Sequence, residues 1–380
     1  MNAPDGPTAE WLTAALQGTA PGCAVSGIET RDIGGGRGYM GQTLAVTLAY
    51  APGRPPGPES VVVKLPALEA APTPAMETLR RELYATEIAW YRDAAATSPV
   101  RAPRCLWASV ADPPGPALVL EDLSGWQAVS QVEGPDLEQA RLAVDALARL
   151  HARWWRSPNL DRFAWTRPLA EDAALWRERF ASGWPALRSR LGKRGLPAEF
   201  APIGDRLAFG LDRLVVDGAG SGTTLIHGDY RIENLLFGVE GGEPAVCVLD
   251  WQLAGRGSGA RDLAYFLGQN LPIEARRNWE PELIERYHGG LLSGGVKDYA
   301  RAALDDDYRR GLLVALWMPA HFLGVMGEAA MAGVAALGGV GGVDRGALRG
   351  LRSALRLVGV AAERNIAAIT DHGAEHLLGA

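Results

Sequence analysis

The spacing of apolar positions changes partway along the chain. In the first third they alternate over short runs. Residues 25–33 and 43–50 read as strands separated by a glycine cluster, and a Pro/Gly loop over 51–58 leads to the β-branched run 61–65, closed by Pro66. A helix is expected from about 74 to 96 and a further strand at 117–120. Ahead of these, 8–16 predicts a short helix with Thr8 as N-cap and Trp11, Leu12 and Leu16 facing inward.

After Glu121-Asp122-Leu123-Ser124-Gly125 the 3.6-residue period takes over. Residues 136–155 form a long amphipathic pattern, opened by Asp136 as N-cap with Gln139 as its capping-box partner. Helical patterns return at 170–191, 198–217, 260–268, 280–292 and 305–330, and from 345 to the C-terminus. The β signal in this part is one hairpin, 235–239 and 245–251 around a Glu240-Gly-Gly-Glu-Pro turn. The stretch 332–343 holds only Gly, Ala, Val and one Leu, and reads as a loose connection. The pattern predicts an α+β chain with a small β-rich N-terminal lobe (1–123) and a larger, mainly helical C-terminal lobe (124–380).

Composition narrows the class of partner. Among 380 residues, 38 basic against 44 acidic side chains leave a formal charge of -6, which argues against nucleic acid or an anionic membrane as the main partner. Cys23, Cys105 and Cys247 are dispersed, as suits a reducing compartment and neither a disulfide framework nor a zinc site. The first seven residues lack the features of a signal peptide. The weakly polar run 311–327 is broken by Pro319 and His321 and is short for a membrane span. A cytoplasmic protein with no membrane, nucleic-acid or protein partner is expected.

The strongest chemical signal is His227-Gly228-Asp229-Tyr230-Arg231-Ile232-Glu233-Asn234, followed by an apolar strand. Phosphoryl transfer needs a carboxylate to orient the acceptor hydroxyl and take its proton, and oxygen ligands to hold magnesium against the phosphates. An Asp and an Asn five residues apart on a tight loop can divide those tasks. Sixteen residues after Asn234, Val246-Cys247-Val248-Leu249-Asp250 ends a buried strand on a carboxylate, which the hairpin would return beside Asn234. His-x-Asp or a strand-end Asp is weak alone, and the alternative is that these groups only cap a loop; the ordered set is specific. His227 suits a loop-holding role. Arg231 is open between steadying the transferring phosphate and a surface ion pair.

These segments, with Asp250-Trp251-Gln252 and Arg261-Asp262-Leu263-Ala264-Tyr265-Phe266, resemble the aminoglycoside phosphotransferase/choline kinase superfamily. The Asp-Trp-Gln form is most similar to its bacterial ecdysteroid-kinase-like branch. The resemblance implies a protein-kinase-like fold, ATP and Mg2+ as cofactors, and a small-molecule hydroxyl acceptor. It also implies Asp229 as catalytic base, Asn234 and Asp250 as metal ligands, and Asp262 as a buried support of the catalytic loop. Asp-Trp-Gln in place of the Asp-Phe-Gly of protein kinases argues against a conventional activation loop.

That reading makes demands on the first lobe. Gly36-x-Gly38-x-x-Gly41 supplies a flexible backbone for phosphates, and a strand pattern follows it where a dinucleotide fold requires a helix. A plain glycine hairpin is the bland alternative. Lys64 stands among apolar neighbours in the next strand, placed to reach phosphates, or else merely exposed at an edge. Met76, Leu79, Leu83, Glu87 and Trp90 share one helical face, and Glu87 is its only charged member; an unpaired carboxylate there would be costly, so Glu87 is preferred to Glu82 as partner of Lys64. Backbone groups near Glu121 and Leu123 are expected to bind adenine. His151 reads as a satisfied core histidine.

Trp279, Tyr287, Trp317, His321 and Phe322 could line an acceptor pocket, although aromatics at such spacing are usually core. Asp305-Asp306-Asp307 is the only acidic run of the second lobe and reads as a solvated helix start. Two other functions compete: a pseudokinase-like nucleotide-binding regulatory module, against which the full set of site residues argues, and a dinucleotide oxidoreductase resting on the glycine motif alone.

Overall fold

The computed structural model describes residues 6–34, 41–66, 74–109, 117–193, 200–217, 222–325 and 345–378. Gly36, Gly38 and the 332–343 connection lie outside them.

Helix α1 (Ala9–Leu16) begins where Thr8 accepts a hydrogen bond from the Trp11 amide at 3.2 Å, and it buries Trp11, Leu12 and Leu16 as expected. Strands β1 (Val25–Asp32), β2 (Gly41–Tyr50), β3 (Ser60–Pro66), β4 (Cys105–Ser109) and β5 (Ala117–Glu121) form one antiparallel sheet in the order β1-β2-β3-β5-β4. β4 has no counterpart in the sequence reading. It is five residues long and buries only Leu106, so its alternation is too brief to register.

Period-2 geometry divides the sheet into two faces. Val61, Val63 and Leu65 pack with Trp11, Leu12, Val46 and Val119 in a core under α1. Val62 and Lys64 point the other way, towards helix α2 (Pro74–Asp93) and the second lobe. α2 ends before the expected 96, and a 3-10 turn at Ala95–Thr97 follows it. Its Ile88, Trp90 and Tyr91 belong to the core of the larger lobe.

That lobe contains α3 (Leu137–Trp154), opened by the Asp136–Gln139 capping box, then α4 (Ala173–Gly192) and α5 (Phe200–Asp217). After the His227–Asn234 loop come α6 (Gly259–Asn270), α7 (Ile273–Ser293), α8 (Arg301–Ala315) and a C-terminal helix, Arg345–Asp371. α7 begins ahead of the expected 280 and carries Pro281 in its interior. The single helix expected over 305–330 breaks at Leu316 and resumes at 317. A restart there puts Pro319 in a first turn, where its missing N–H costs no intrahelical bond.

The hairpin is present as β8 (Leu235–Glu240) and β9 (Glu243–Val248), but it is not the only β structure of this lobe. β6 (Gln127–Ala128) adds to β8, while β7 (Thr223–Ile226) pairs antiparallel with β10 (Gly255–Ser258). Two to four residues long and partly glycine, these strands carry no readable alternation. β7 nevertheless delivers the chain into His227. The whole is a two-lobed, kinase-like α+β fold.

Candidate active site

Three buried residues anchor β7, and the chain then turns at Gly228, whose φ is +83°. A Cβ there would sit 2.2 Å from the Leu253 carbonyl oxygen, so both the conformation and the close approach require glycine. Asp262, in the first turn of α6, accepts bonds from the amides of His227 at 2.6 Å and Gly228 at 3.1 Å. Burial pushes its carboxyl up, but His151, whose Nε2 lies 3.4 Å away, with His227 and Arg261 behind, brings the net pKa below the usual value. His151 also lies 2.7 Å from the Tyr287 hydroxyl and is fully buried, a core histidine as read from the sequence.

His227 ties two segments together. Its Nδ1 accepts from the Asp229 amide at 3.3 Å, which leaves Nε2–H to donate to the Leu249 carbonyl at 2.8 Å. The loop and the strand leading to Asp250 are thereby held in register.

Asp229 is held from three sides. Tyr265 donates its hydroxyl to Oδ1 at 2.8 Å, while Asn234 Nδ2 at 3.0 Å and Arg231 Nε at 3.2 Å reach Oδ2. Asn234 Nδ2 also donates to the Asp229 carbonyl at 2.9 Å, so its Oδ1 remains as the free donor atom for a ligand. Arg231 pairs with Glu233 as well, at 3.2 Å. Its ion pairs are therefore internal to the loop, and the side chain lines the cleft and is not a surface group.

Asp250 adopts a left-handed conformation, φ 62° and ψ 72°, which Asp tolerates better than most residues. Its carboxylate lies 3.4 Å from Lys64 Nζ. Burial raises its pKa, yet Lys64, then Arg231 and His227, outweigh burial and hold it below the ordinary range. Lys64 in turn donates to both Glu87 oxygens, at 2.7 and 2.6 Å. Burial alone would pull the lysine pKa down; Asp250 and Glu87 reverse that and favour the ammonium. Glu87 is fully buried and Glu82 is exposed, as the helical stripe required.

Lys64, Glu87, Glu121, Leu123, Arg231, Asn234 and Asp250 all line one interlobe cleft of about 750 Å3, within the range of small-molecule sites. Asp229 adjoins it through Arg231 and Asn234. Gly34 and Gly41 border it, while Gly36 and Gly38 lie outside the described residues. Gly41 is required by packing: a Cβ there would fall 1.7 Å from the Tyr84 hydroxyl, which itself donates to the Leu65 carbonyl. At the hinge the Glu121 amide is taken by the Arg104 carbonyl and the Leu123 carbonyl by the Trp126 amide. The Glu121 side chain turns away to Arg101 at 2.8 Å and to the Arg104 amide at 3.0 Å. Ala45, Val62, Leu120, Leu236 and Leu249 supply apolar walls from both lobes.

Sequence reasoning assigned no role to Tyr265 or Gln252. Tyr265 lies three residues after Asp262, on the same face of α6, and that spacing is its one sequence signal. Gln252 donates to Glu87 at 3.3 Å, a contact that only the fold creates.

Among the described residues no cluster of three His, Cys, Asp or Glu could form an all-protein metal cage. One ionised carboxylate (Asp250) and one amide oxygen (Asn234) are instead the hard, sparse donor set that suits Mg2+, which keeps waters and phosphate oxygens as its other ligands.

A family model described as phosphotransferase enzyme family matches residues 56–304. The fold is similar to a putative aminoglycoside phosphotransferase from Ralstonia eutropha JMP134 at 16% identity, covering 94% of this chain and 98% of that one, with a TM-score of 0.52. A GDP complex of wild-type aminoglycoside 2'-phosphotransferase-IIIa aligns at 14% identity over 95% of this chain and 99% of that one, TM-score 0.51. A choline kinase from Cryptosporidium parvum Iowa II aligns at 12% identity over 91% of each chain, TM-score 0.50. Among curated proteins, acyl-CoA dehydrogenase family member 10 of Mus musculus is 45% identical over 56 residues, a match spanning 13% of this chain and 5% of that protein. With well over half of its length matched by the family model, from Pro56 through the His227–Asn234 loop and Asp250 to Leu304, the chain belongs to the phosphotransferase enzyme family.

Proposed function

We propose that this protein transfers the γ-phosphate of ATP to a hydroxyl of a small organic acceptor. The observation that carries the reading is the convergence, on one cleft, of the Lys64–Glu87 ion pair, Asp250 and the Asp229–Asn234 loop. Residues 1–123 form the nucleotide lobe and 124–380 the catalytic and acceptor lobe.

Purine packs between Ala45, Val62, Leu236 and Leu249, with the Glu121 carbonyl and Leu123 amide as its hydrogen-bonding edge. Gly36 and Gly38 cover the phosphates, and Lys64, fixed by Glu87, holds them from the strand side. Asn234 Oδ1 and the Asp250 carboxylate hold Mg2+, which when bound neutralises charge on the phosphates. Asp229 orients the acceptor hydroxyl and takes its proton, while Tyr265 and Asn234 keep its carboxylate aimed. Arg231 steadies the charge that develops on the transferring phosphoryl group. Most of the acceleration then comes from positioning and fixed charge. The Asp250-Trp251-Gln252 sequence supports a place in the ecdysteroid-kinase-like branch.

The test is an acceptor screen with Mg-ATP and Mg-GTP, read by the mass of phosphorylated products, beside an Asp229→Ala variant. The variant should bind Mg-ATP and transfer nothing. If wild type binds nucleotide and phosphorylates no hydroxyl compound, the protein is a nucleotide-binding module and the proposal is wrong.

A further inference from the structure

Arg261 lies in the first turn of α6, one residue before Asp262 and one turn before Tyr265, whose hydroxyl rests on Asp229. Its guanidinium lies 4.5 Å from the centre of the Trp176 ring. Its Nη1 is buried and has no hydrogen-bond partner among the described residues. The neighbouring Asp262 carboxylate cannot serve, because it is committed to the amides of His227 and Gly228. Asp262, Tyr265 and Asp229 act on Arg261 only as charges, and burial outweighs them to lower its pKa. A buried guanidinium N–H without an acceptor is costly unless something else supplies one.

The surroundings repeat the same deficit. A small cavity of about 40 Å3 is lined by Arg261 together with Arg256, Ser258, Asp307 and Arg310. Arg256 pairs with Asp161 at 2.6 Å through Nη1, but its Nε is buried without a partner. Ser258 stands at the N-cap of α6 without capping it, and its Oγ is also buried and unpartnered. The cavity's one carboxylate, Asp307, already accepts from Tyr299 at 2.8 Å and Arg310 at 2.7 Å. Three unmet donors at the positive end of a helix, in a space sized for a few waters or one small group, make an anion site.

The acidic run of this lobe offers no counterweight. Asp305 pairs with Arg301 at 2.8 Å, Asp306 with Arg309 at 2.9 Å, and Asp307 as described. A cationic acceptor would meet a guanidinium where it needs a carboxylate.

We infer that Arg261, with Arg256 and Ser258, receives a carboxylate carried by the acceptor. The substrates would then be hydroxyl-bearing organic acids, not amino alcohols or aminoglycosides. The inference rests on the kinase reading above.

The experiment compares initial rates, with saturating Mg-ATP, on hydroxy acids, their methyl esters and amino alcohols of matched carbon skeleton. Wild type should favour each acid over its ester by about 10- to 100-fold in kcat/KM, the range of one charge-assisted bond. Arg261→Gln should collapse that preference to within about 3-fold, mainly through KM for the acid, with Arg261→Lys restoring part of it; a merely structural role would slow acid and ester alike. Should Arg261→Gln not fold, the wild-type comparison still decides. Equal rates on acid and ester, or preference for amino alcohols, overturns the inference and leaves the kinase reading intact. Transfer to none of the three classes overturns the kinase reading and the inference with it.

Discussion

Trp251 stacks face to face on Trp90, their ring centroids 3.8 Å apart and their planes 8° from parallel. Trp90 follows Glu87 by one turn of α2, and Trp251 directly follows Asp250. Glu87 and Asp250 also share Lys64, and Gln252 reaches back to Glu87. The stack, the Gln252–Glu87 bond and the Lys64 bridge from Glu87 to Asp250 thus fasten the helix of the first lobe to the segment that presents Asp250. Swinging this segment outward would break the stack, the Gln252–Glu87 bond and the Lys64–Asp250 contact together.

Truncating that stack should therefore cost both stability and nucleotide handling. Trp251→Ala is expected to lose about 3–5 kcal/mol, as for other buried large aromatics, and Trp251→Phe clearly less because an aromatic plane remains. Urea unfolding measures the first effect, and KM for ATP measures the second, which should rise severalfold in Trp251→Phe. A Phe variant with wild-type KM would mean that the stack does not position Asp250.

Asp250→Asn isolates charge from conformation. Asn tolerates the left-handed backbone of Asp250 about as well as Asp does, so the fold should persist. Losing the anionic ligand should lower kcat by about 100-fold or more and move the Mg2+ dependence to higher concentration. A titration of rate against Mg2+ checks this. An unchanged Mg2+ midpoint would remove Asp250 from the metal site.

How much of this site could be read beforehand depended on how each residue is specified. Glu87 was legible because a charged residue on an apolar helical stripe demands a partner, and Lys64 was the cation available to it. The loop from His227 to Asn234 was legible because its chemistry lies in consecutive residues. β7 and β10 were not, since strands as short as Thr223–Ile226 and Gly255–Ser258 are fixed by their neighbours and not by alternation. Tyr265 and Gln252 were invisible as site residues for the same reason: their partners, Asp229 and Glu87, lie 36 and 165 positions away.

Tyr265→Phe tests the least anticipated of these contacts. It removes one hydroxyl and leaves the ring in the core. Loss of a single bond to the Asp229 carboxylate should lower kcat by about 10-fold with little change in KM for ATP. Equal kcat in the two proteins would show that Asn234 and Arg231 suffice to aim Asp229.

His321 should make the protein's stability depend on pH. Burial, and then the charge of Arg179, lower its pKa from 6.5 to about 4, and its ring stacks on Trp317 at 4.5 Å. Between those two values the unfolded chain binds the proton and the folded chain does not, so stability rises with pH across the window. The contribution is fully present above about pH 6.5 and lost as pH falls towards 4. Its upper bound is about 3 kcal/mol. Unfolding free energies at pH 5 and pH 7 should differ more in wild type than in His321→Gln; an identical difference in both would exclude His321 as its source.

The C-terminal helix reaches the His227–Asn234 loop through one arginine. Arg364 is buried and donates through Nη1 to the carbonyls of Gln131 at 2.6 Å and Asn270 at 2.8 Å, and through Nη2 to that of Val132 at 2.7 Å. Burial is the main reason its pKa falls to about 10. Asn270 uses its own side-chain oxygen to accept from the Ile232 amide at 3.0 Å, inside the loop between Asp229 and Asn234. Arg364→Ala would leave three carbonyls unpaired and should cost about 3–5 kcal/mol. Arg364→Lys, with one compact ammonium in place of a planar fork, should recover only part of that. Urea unfolding of the three proteins ranks them. Because the same contacts hold Asn270, kcat should fall in Arg364→Ala even at temperatures where the protein stays folded. A cost below about 1 kcal/mol, or a full kcat in the folded variant, would mean that the helix merely covers the lobe and does not brace the loop.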